Sequence, residues 1–160
     1  MTAHVALGID IGGSGIKGAP IDLTTGQMIT ERGKILTPAK STPTAVAEIV
    51  AEIARQVSGA LPDDASVGVT IPGVVQHGVV RTAANIDKSW IDAEGEKIFS
   101  EALGRPCTLV NAADAAGVAE TRWGAGKDHD GLVITTTLGT GIGIALTYNG
   151  VLIPNAELGH

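Results

Sequence analysis

The chain holds four aromatic residues among 160, namely Trp90, Phe99, Trp123 and Tyr148. So few rings exclude the stacked aromatic platforms that grip single-stranded nucleic acid, and any core must be built from Val, Ile, Leu and Ala. Cysteine is scarcer still. Cys107 stands alone, so neither an intrachain disulfide nor a cysteine-rich metal site can form, and a reducing compartment is expected. Positive charge is in deficit too: 11 Lys and Arg face 17 Asp and Glu, a net charge of −6. A polyanion would meet net repulsion, so no nucleic-acid partner is expected. No apolar run approaches the ~18 residues of a membrane span, and Asp10 interrupts the N-terminal apolar stretch before a signal-peptide core is complete. A cytoplasmic protein with no membrane partner follows.

Glycine is abundant, 22 residues beside 7 prolines, but it is dispersed, which excludes collagen-like repeats and low-complexity disorder. By length alone the chain fits one domain, able to bury roughly 70% of its unfolded surface. Val5 to Ile11 predicts a buried strand stopped by Gly12-Gly13-Ser14-Gly15. Ile16 to Leu23 and Met28 to Leu36 flank the turn Thr24-Thr25-Gly26-Gln27, so the chain should open as a three-stranded meander. Thr42 and Pro43 open a helix whose stripe Val46, Ile49, Val50, Ile53, Ala54 and Val57 is core, with Gly59 placed to close it. A strand over Ser66 to Ile71, a hairpin about Gln76-His77-Gly78, a helix over Glu94 to Leu103 ended by Gly104, and a strand over Cys107 to Val110 follow. Asn111 can cap a helix over Ala112 to Trp123, with Asp114 where a carboxylate can reach back to the cap. Gly131 to Thr137 and Ile144 to Tyr148 then flank a second glycine turn, and Asn149-Gly150 signals another hairpin. The fold class is α/β, with two similar meanders more than a hundred residues apart.

Gly13-Ser14-Gly15-Ile16-Lys17-Gly18 matches the dinucleotide pattern G-x-G-x-x-G, but that site needs a helix next. Ala19-Pro20 and the turn at Gly26 leave no room for one. A glycine turn between strands survives, with Asp10 before it, Ser14 at its tip and Lys17 beyond. Glycines let backbone amides approach phosphate oxygens, Ser14 can donate to them, Lys17 can neutralise charge, and Asp10 can hold a hydrated Mg²⁺.

Asp10-Ile11-Gly12-Gly13-Ser14-Gly15-Ile16-Lys17 resembles the first phosphate motif of the ROK sugar kinases, Leu138-Gly139-Thr140-Gly141-Ile142-Gly143 their second, and Glu157-Leu158-Gly159-His160 their E-x-G-H sugar motif. Gly12 to Asp22 and Thr82 to Trp90 more narrowly resemble the polyphosphate/ATP glucokinases within that family. The resemblance implies an actin-like (ribonuclease H-like) ATPase fold of two α/β lobes with a cleft in which sugar and donor meet. It implies phosphoryl transfer from ATP or inorganic polyphosphate to the 6-hydroxyl of glucose, with mannose as a further acceptor, and a homodimer. Asn85, Asn111, Glu157 and His160 would hydrogen-bond the sugar and Gly73 would shape the pocket wall. Gly12, Gly13, Ser14, Gly15, Lys17, Gly139, Thr140 and Gly141 would hold phosphate. Lys17, Arg81, Lys88, Arg122 and Lys127 are the cations available to a polyphosphate chain.

Two departures stand out. The family's catalytic segment reads Asn-Asp-Ala, its Asp accepting the proton of the sugar hydroxyl, whereas this chain reads Asn111-Ala112-Ala113-Asp114. A methyl group accepts no proton, and a positioned general base is worth ~10²–10⁴-fold. Asp114 is rotated about 200° around a helix from position 112, so it should point elsewhere. Slow or absent turnover is therefore expected, a glucose-binding pseudokinase or sugar sensor being the alternative. Secondly, the motif order stops where the family's second lobe has barely begun. Residues 1–120 read as one lobe and 121–160 as the start of another, with a sheet face left uncovered. Without the downstream cysteines that accompany the motif's His in many relatives, no zinc is expected.

Overall fold

A computed structural model describes residues 4–158 of the chain, which divides into two compact units between Val110 and Asn111. In the first unit, β1 (Val5–Ile11) runs to the glycine turn and returns antiparallel as β2 (Ile16–Asp22), with Ile11 opposite Ile16 and Val5 opposite Asp22. The expected third strand is two short pieces on β2: β3 (Gln27–Met28) pairs near its end and β4 (Gly33–Ile35) near its start. The intervening Thr30, Glu31 and Arg32 offer no apolar face to bury, and they lie exposed.

Thr42 caps α1 (Pro43–Val57) by accepting from the Ala45 amide, with Pro43 in its first turn. The helix closes at Ser58, which returns both its amide and its hydroxyl to the Arg55 carbonyl. Gly59 therefore does not end the helix as expected; it lies in the 3₁₀ turn Ser58–Ala60. β5 (Ser66–Ile71) runs parallel to β1, and β6 (Val75–Gln76) and β7 (Val79–Val80) form a small hairpin. His77 and Gly78 both take positive φ there, the signature of a tight two-residue turn. α2 (Gly95–Leu103) ends at Gly104 with φ 66°, and β8 (Thr108–Asn111) completes a sheet ordered β3-β2-β1-β5-β8, with β4 also on β2.

The core is aliphatic, as the scarcity of rings required. Leu7, Ile9, Ile11 and Ile16 meet Val46, Val50 and Ile53 of α1 and Val67, Val69 and Ile71 of β5. Each such side chain contributes ~1.5–3 kcal/mol on burial. Trp90 and Phe99, both fully buried, stack with centroids 5.4 Å apart.

The second unit is α3 (Ala112–Trp123) on an antiparallel sheet ordered β11-β10-β9, from β9 (Leu132–Leu138), β10 (Ile142–Tyr148) and β11 (Val151–Ile153). Small residues bring helix and sheet together: a Cβ on Gly117 would overlap Ala145, and one on Gly143 would overlap Ala113. The expected lobe boundary after residue 120 thus falls inside a helix that packs on β9 and β10. On the sheet's opposite face Leu132, Ile134, Leu138, Ile142, Tyr148 and Val151 are exposed.

Candidate active site

In the first unit the glycine turn is closed by the Gly12 amide donating to the Gly15 carbonyl at 3.1 Å, and Thr37 donates to the Gly12 carbonyl at 2.6 Å. Since β2 follows directly and antiparallel, the turn joins strand to strand, and the dinucleotide reading falls on structure as well as on sequence. Ser14 and Gly13 are exposed at the tip. Cross-strand register sets Thr70, Asp10, Lys17 and Lys34 in one row, on the sheet face opposite Ile9 and the α1 side. Asp10 is exposed and its Oδ1 accepts from the Thr70 hydroxyl at 2.7 Å, which fixes the carboxylate's direction.

Thr70 and Lys34 escaped the sequence reading because each becomes a neighbour only through strand pairing. Lys34 carries a signal in hindsight, since it stands opposite Lys17 in the meander register. Of the other cations considered for a polyphosphate chain, Lys88 donates to the Ala83 carbonyl at 2.8 Å, Arg81 pairs with Asp92 at 2.7 Å, and Arg122 lies over the Trp123 ring. Lys127 is exposed.

Asn85 also belongs to the first unit, exposed with φ 59° in the left-handed region. Its loop is anchored from below. Ser41, 6% exposed, accepts the Asp87 amide on its hydroxyl at 3.0 Å and the Trp90 indole N–H on its carbonyl at 2.8 Å. The Ser89 hydroxyl and amide hold the Asp87 carboxyl below its usual range. Gly13 lies close to this loop: a Cβ there would lie 3.2 Å from the Asn85 carbonyl oxygen, so the glycine turn and the Asn85 loop are close neighbours. Gly73 is buried where a Cβ would overlap the Thr82 carbonyl, and the Val74 amide donates to the Thr82 hydroxyl at 2.9 Å, so the expected pocket wall is tied to the segment leading to Asn85.

In the second unit Asn111 does two things at once. Its Oδ1 caps α3, accepting from the Ala113 and Asp114 amides at 2.7 and 3.1 Å, while its Nδ2 donates to Glu157 Oε1 at 2.6 Å. Ala112 is the first residue of α3 and half-buried. Asp114 does not reach back to the cap as expected. It is 4% exposed, and its Oδ2 accepts from the Asn155 amide at 2.8 Å. Burial pushes its carboxyl above the usual range, the Glu157 charge adds to that, and the Asn155 hydrogen bond opposes it. Gly139 donates to the Gly141 carbonyl at 3.0 Å in the exposed β9–β10 turn that also holds Thr140. Glu157 is exposed with φ 41°. His160 lies outside the described residues.

Residues 6–160 match the model of the ROK family. The chain belongs to the ROK family. Within it, the chain is 55% identical to the polyphosphate glucokinase of Mycobacterium tuberculosis, over 99% of its own length and 59% of that protein's. Among solved structures, the inorganic polyphosphate/ATP-glucomannokinase of Arthrobacter sp. strain KM superposes with a TM-score of 0.92 at 49% identity, covering 98% of this chain and 63% of that one. A ROK family glucokinase from Streptomyces griseus, in complex with glucose and AMPPNP, gives 0.82 at 30% identity, covering 92% and 46%. This ROK chain thus spans about three-fifths of the M. tuberculosis relative and shares an α/β fold with ROK kinases. Among the described residues no helix is long and apolar enough to cross a membrane.

Proposed function

We propose that the chain is part of a glucokinase that transfers a phosphoryl group from inorganic polyphosphate or ATP to the 6-hydroxyl of glucose, with mannose as a second acceptor. The observation that carries the reading is the Asn111–Glu157 pair beside the first residue of α3, in a chain 55% identical to a polyphosphate glucokinase. An amide and a carboxylate so placed offer the paired donors and acceptors that sugar hydroxyls need. Asn85 and His160 are further sugar ligands, and Gly73 shapes the wall. The amides of Gly12, Gly13, Gly15, Gly139 and Gly141 hold donor phosphates with the hydroxyls of Ser14 and Thr140, and Lys17 neutralises their charge.

Mg²⁺ fits this donor set. Among the described residues no cluster of three or more His, Cys, Asp or Glu forms a cage, whereas Asp10 is a single exposed carboxylate, the kind of ligand Mg²⁺ uses when it keeps its waters and binds phosphate oxygens. Bound there, the ion would neutralise charge developing on the transferred group.

Turnover is slow because position 112 carries a methyl group. Asp114 does not replace the missing base: one carboxylate oxygen accepts from Asn155 and the other is buried from solvent. Positioning and electrostatic stabilisation persist without a base, so sugar binding survives where transfer is weak. Ala112 equally suits a second reading, a pseudokinase that binds glucose without turnover. We further read the uncovered face of the β9–β11 sheet as covered in a longer protein, the remainder of its second lobe, which acts as a cytoplasmic homodimer. Calorimetric titration of the full-length protein with glucose tests the shared core of these readings. Saturable binding of glucose but not of a pentose is expected, and no heat of binding would refute both.

A further inference from the structure

Among the described residues, Asp114 is a buried carboxylate to which the proposed chemistry gives no role. Asp114 is 4% exposed, its Oδ1 has no hydrogen-bond partner among the described residues, and its Oδ2 accepts from the backbone of Asn155, forty-one residues away in sequence. Leaving a carboxylate oxygen unpartnered in the interior is costly, so the remaining bond must matter to the fold or to the site. The bond lands on an unusual loop. Asn155 and Glu157 both adopt left-handed backbone, φ 56° and 41°, and Glu157 has neither the glycine freedom nor the short side chain that eases this conformation. Strain of this sort persists only where surrounding contacts enforce it, and it collects at functional sites. Asp114 sits three residues after Asn111 on the same helical start, so one turn of α3 grips the loop twice: by its cap through Glu157, and by Asp114 through Asn155.

We propose that Asp114 is a positioning residue for the sugar site: its buried carboxylate holds the Asn155 amide and so fixes the left-handed loop that sets Glu157 against Asn111. This rests on the glucokinase reading. Asp114 touches no substrate; it acts through Glu157, whose carboxylate would otherwise sample many directions before meeting a sugar. The unpartnered oxygen follows from that task, because the side chain is aimed at a backbone amide of the loop and α3 supplies no donor for the second lone-pair set.

The test is glucose titration and amide hydrogen exchange on the full-length protein carrying Asp114→Ala or Asp114→Asn. Asn keeps an oxygen acceptor of the same reach, whereas Ala keeps none. In Asp114→Ala the glucose Kd should rise about tenfold or more, the equivalent of ~1.4 kcal/mol, with polyphosphate affinity unchanged and the Asn155 amide exchanging faster. Asp114→Asn should restore glucose affinity to within about threefold. A merely structural role predicts loss of thermal stability without this split between sugar and donor, and without rescue by Asn. Unchanged glucose affinity in Asp114→Ala, or equal loss in both variants, would overturn the proposal. Should Asp114→Ala not fold, the unaltered protein still decides: an Asn155 amide that exchanges like free peptide refutes the clamp. Absence of glucose binding by the unaltered protein sinks the glucokinase reading first, a result distinct from binding that Asp114 does not influence.

Discussion

Asn111 donates from Nδ2 to Glu157 at 2.6 Å while the oxygen of the same amide caps α3. A single side chain therefore fixes both the helix start that presents position 112 and the Glu157 carboxylate, the proposed sugar ligand. Asn111→Ala removes both. The cap alone is worth ~1 kcal/mol, and losing it leaves two amide donors unsatisfied. Glucose affinity should fall at least tenfold and the melting temperature by several degrees. Asn111→Ser, which can still cap but cannot donate to Glu157 as the amide does, should recover most of the stability and little of the affinity. Calorimetry and thermal melts on the two variants separate the effects.

Gly13 should couple donor and acceptor sites. A methyl there lies 3.2 Å from the Asn85 carbonyl oxygen, tighter than ordinary contact, so Gly13→Ala must displace the Asn85 loop. KM for glucose should rise several-fold together with KM for the donor, although the substitution lies in the phosphate turn. Steady-state kinetics with each substrate varied in turn checks this.

The row Asp10, Lys17 and Lys34 makes a sharper statement about the donor. Lys34→Ala should raise KM for polyphosphate about tenfold and change KM for ATP less, because a long polyanion gains more from an extra cation in line with Lys17 than a single nucleotide does. The polyphosphate effect should shrink as salt is raised from ~0.05 to 0.3 M, as ionic screening requires.

Asp114 also sets a pH dependence of stability. Its folded pKa lies above the ordinary value of 3.8, chiefly through burial, so the folded state binds a proton more tightly than the unfolded chain. Its contribution is most favourable below that ordinary value and is lost as pH rises through the raised one. Asp114→Asn should therefore gain stability relative to the unaltered protein as pH climbs from about 4 toward neutrality, and gain none below it. Urea melts across that range give the difference directly.

How far the sequence foretold this follows from which contacts are local. β1, α1, α2, α3 and the β10–β11 hairpin were legible because period, cap and turn residues lie within each segment: Thr42-Pro43, Gly104, Asn111 and Asn149-Gly150 each mark their own boundary. The break between β3 and β4 was not, since alternation alone could not show that Thr30 to Arg32 would leave the sheet. The glycine turns and sugar-type residues were readable as motifs, but their partners were not. Thr70 reaches Asp10 across sixty positions and Ser41 reaches Trp90 across forty-nine, and no local pattern encodes either. Asp114 was misjudged for the same reason: a carboxylate in the first turn of a helix three residues after Asn111 suggests one that reaches back to the cap, and only the fold shows that it accepts instead from the Asn155 amide.

The most direct test of the account is the turnover number of the full-length protein with Ala112→Asp, measured against the Ala112 form in a coupled glucose 6-phosphate assay with ATP and with polyphosphate. A rise of ~10²–10⁴-fold in kcat with little change in KM for glucose is expected. No phosphorylation of glucose from either donor after the substitution, or equal turnover with and without it, would contradict the account.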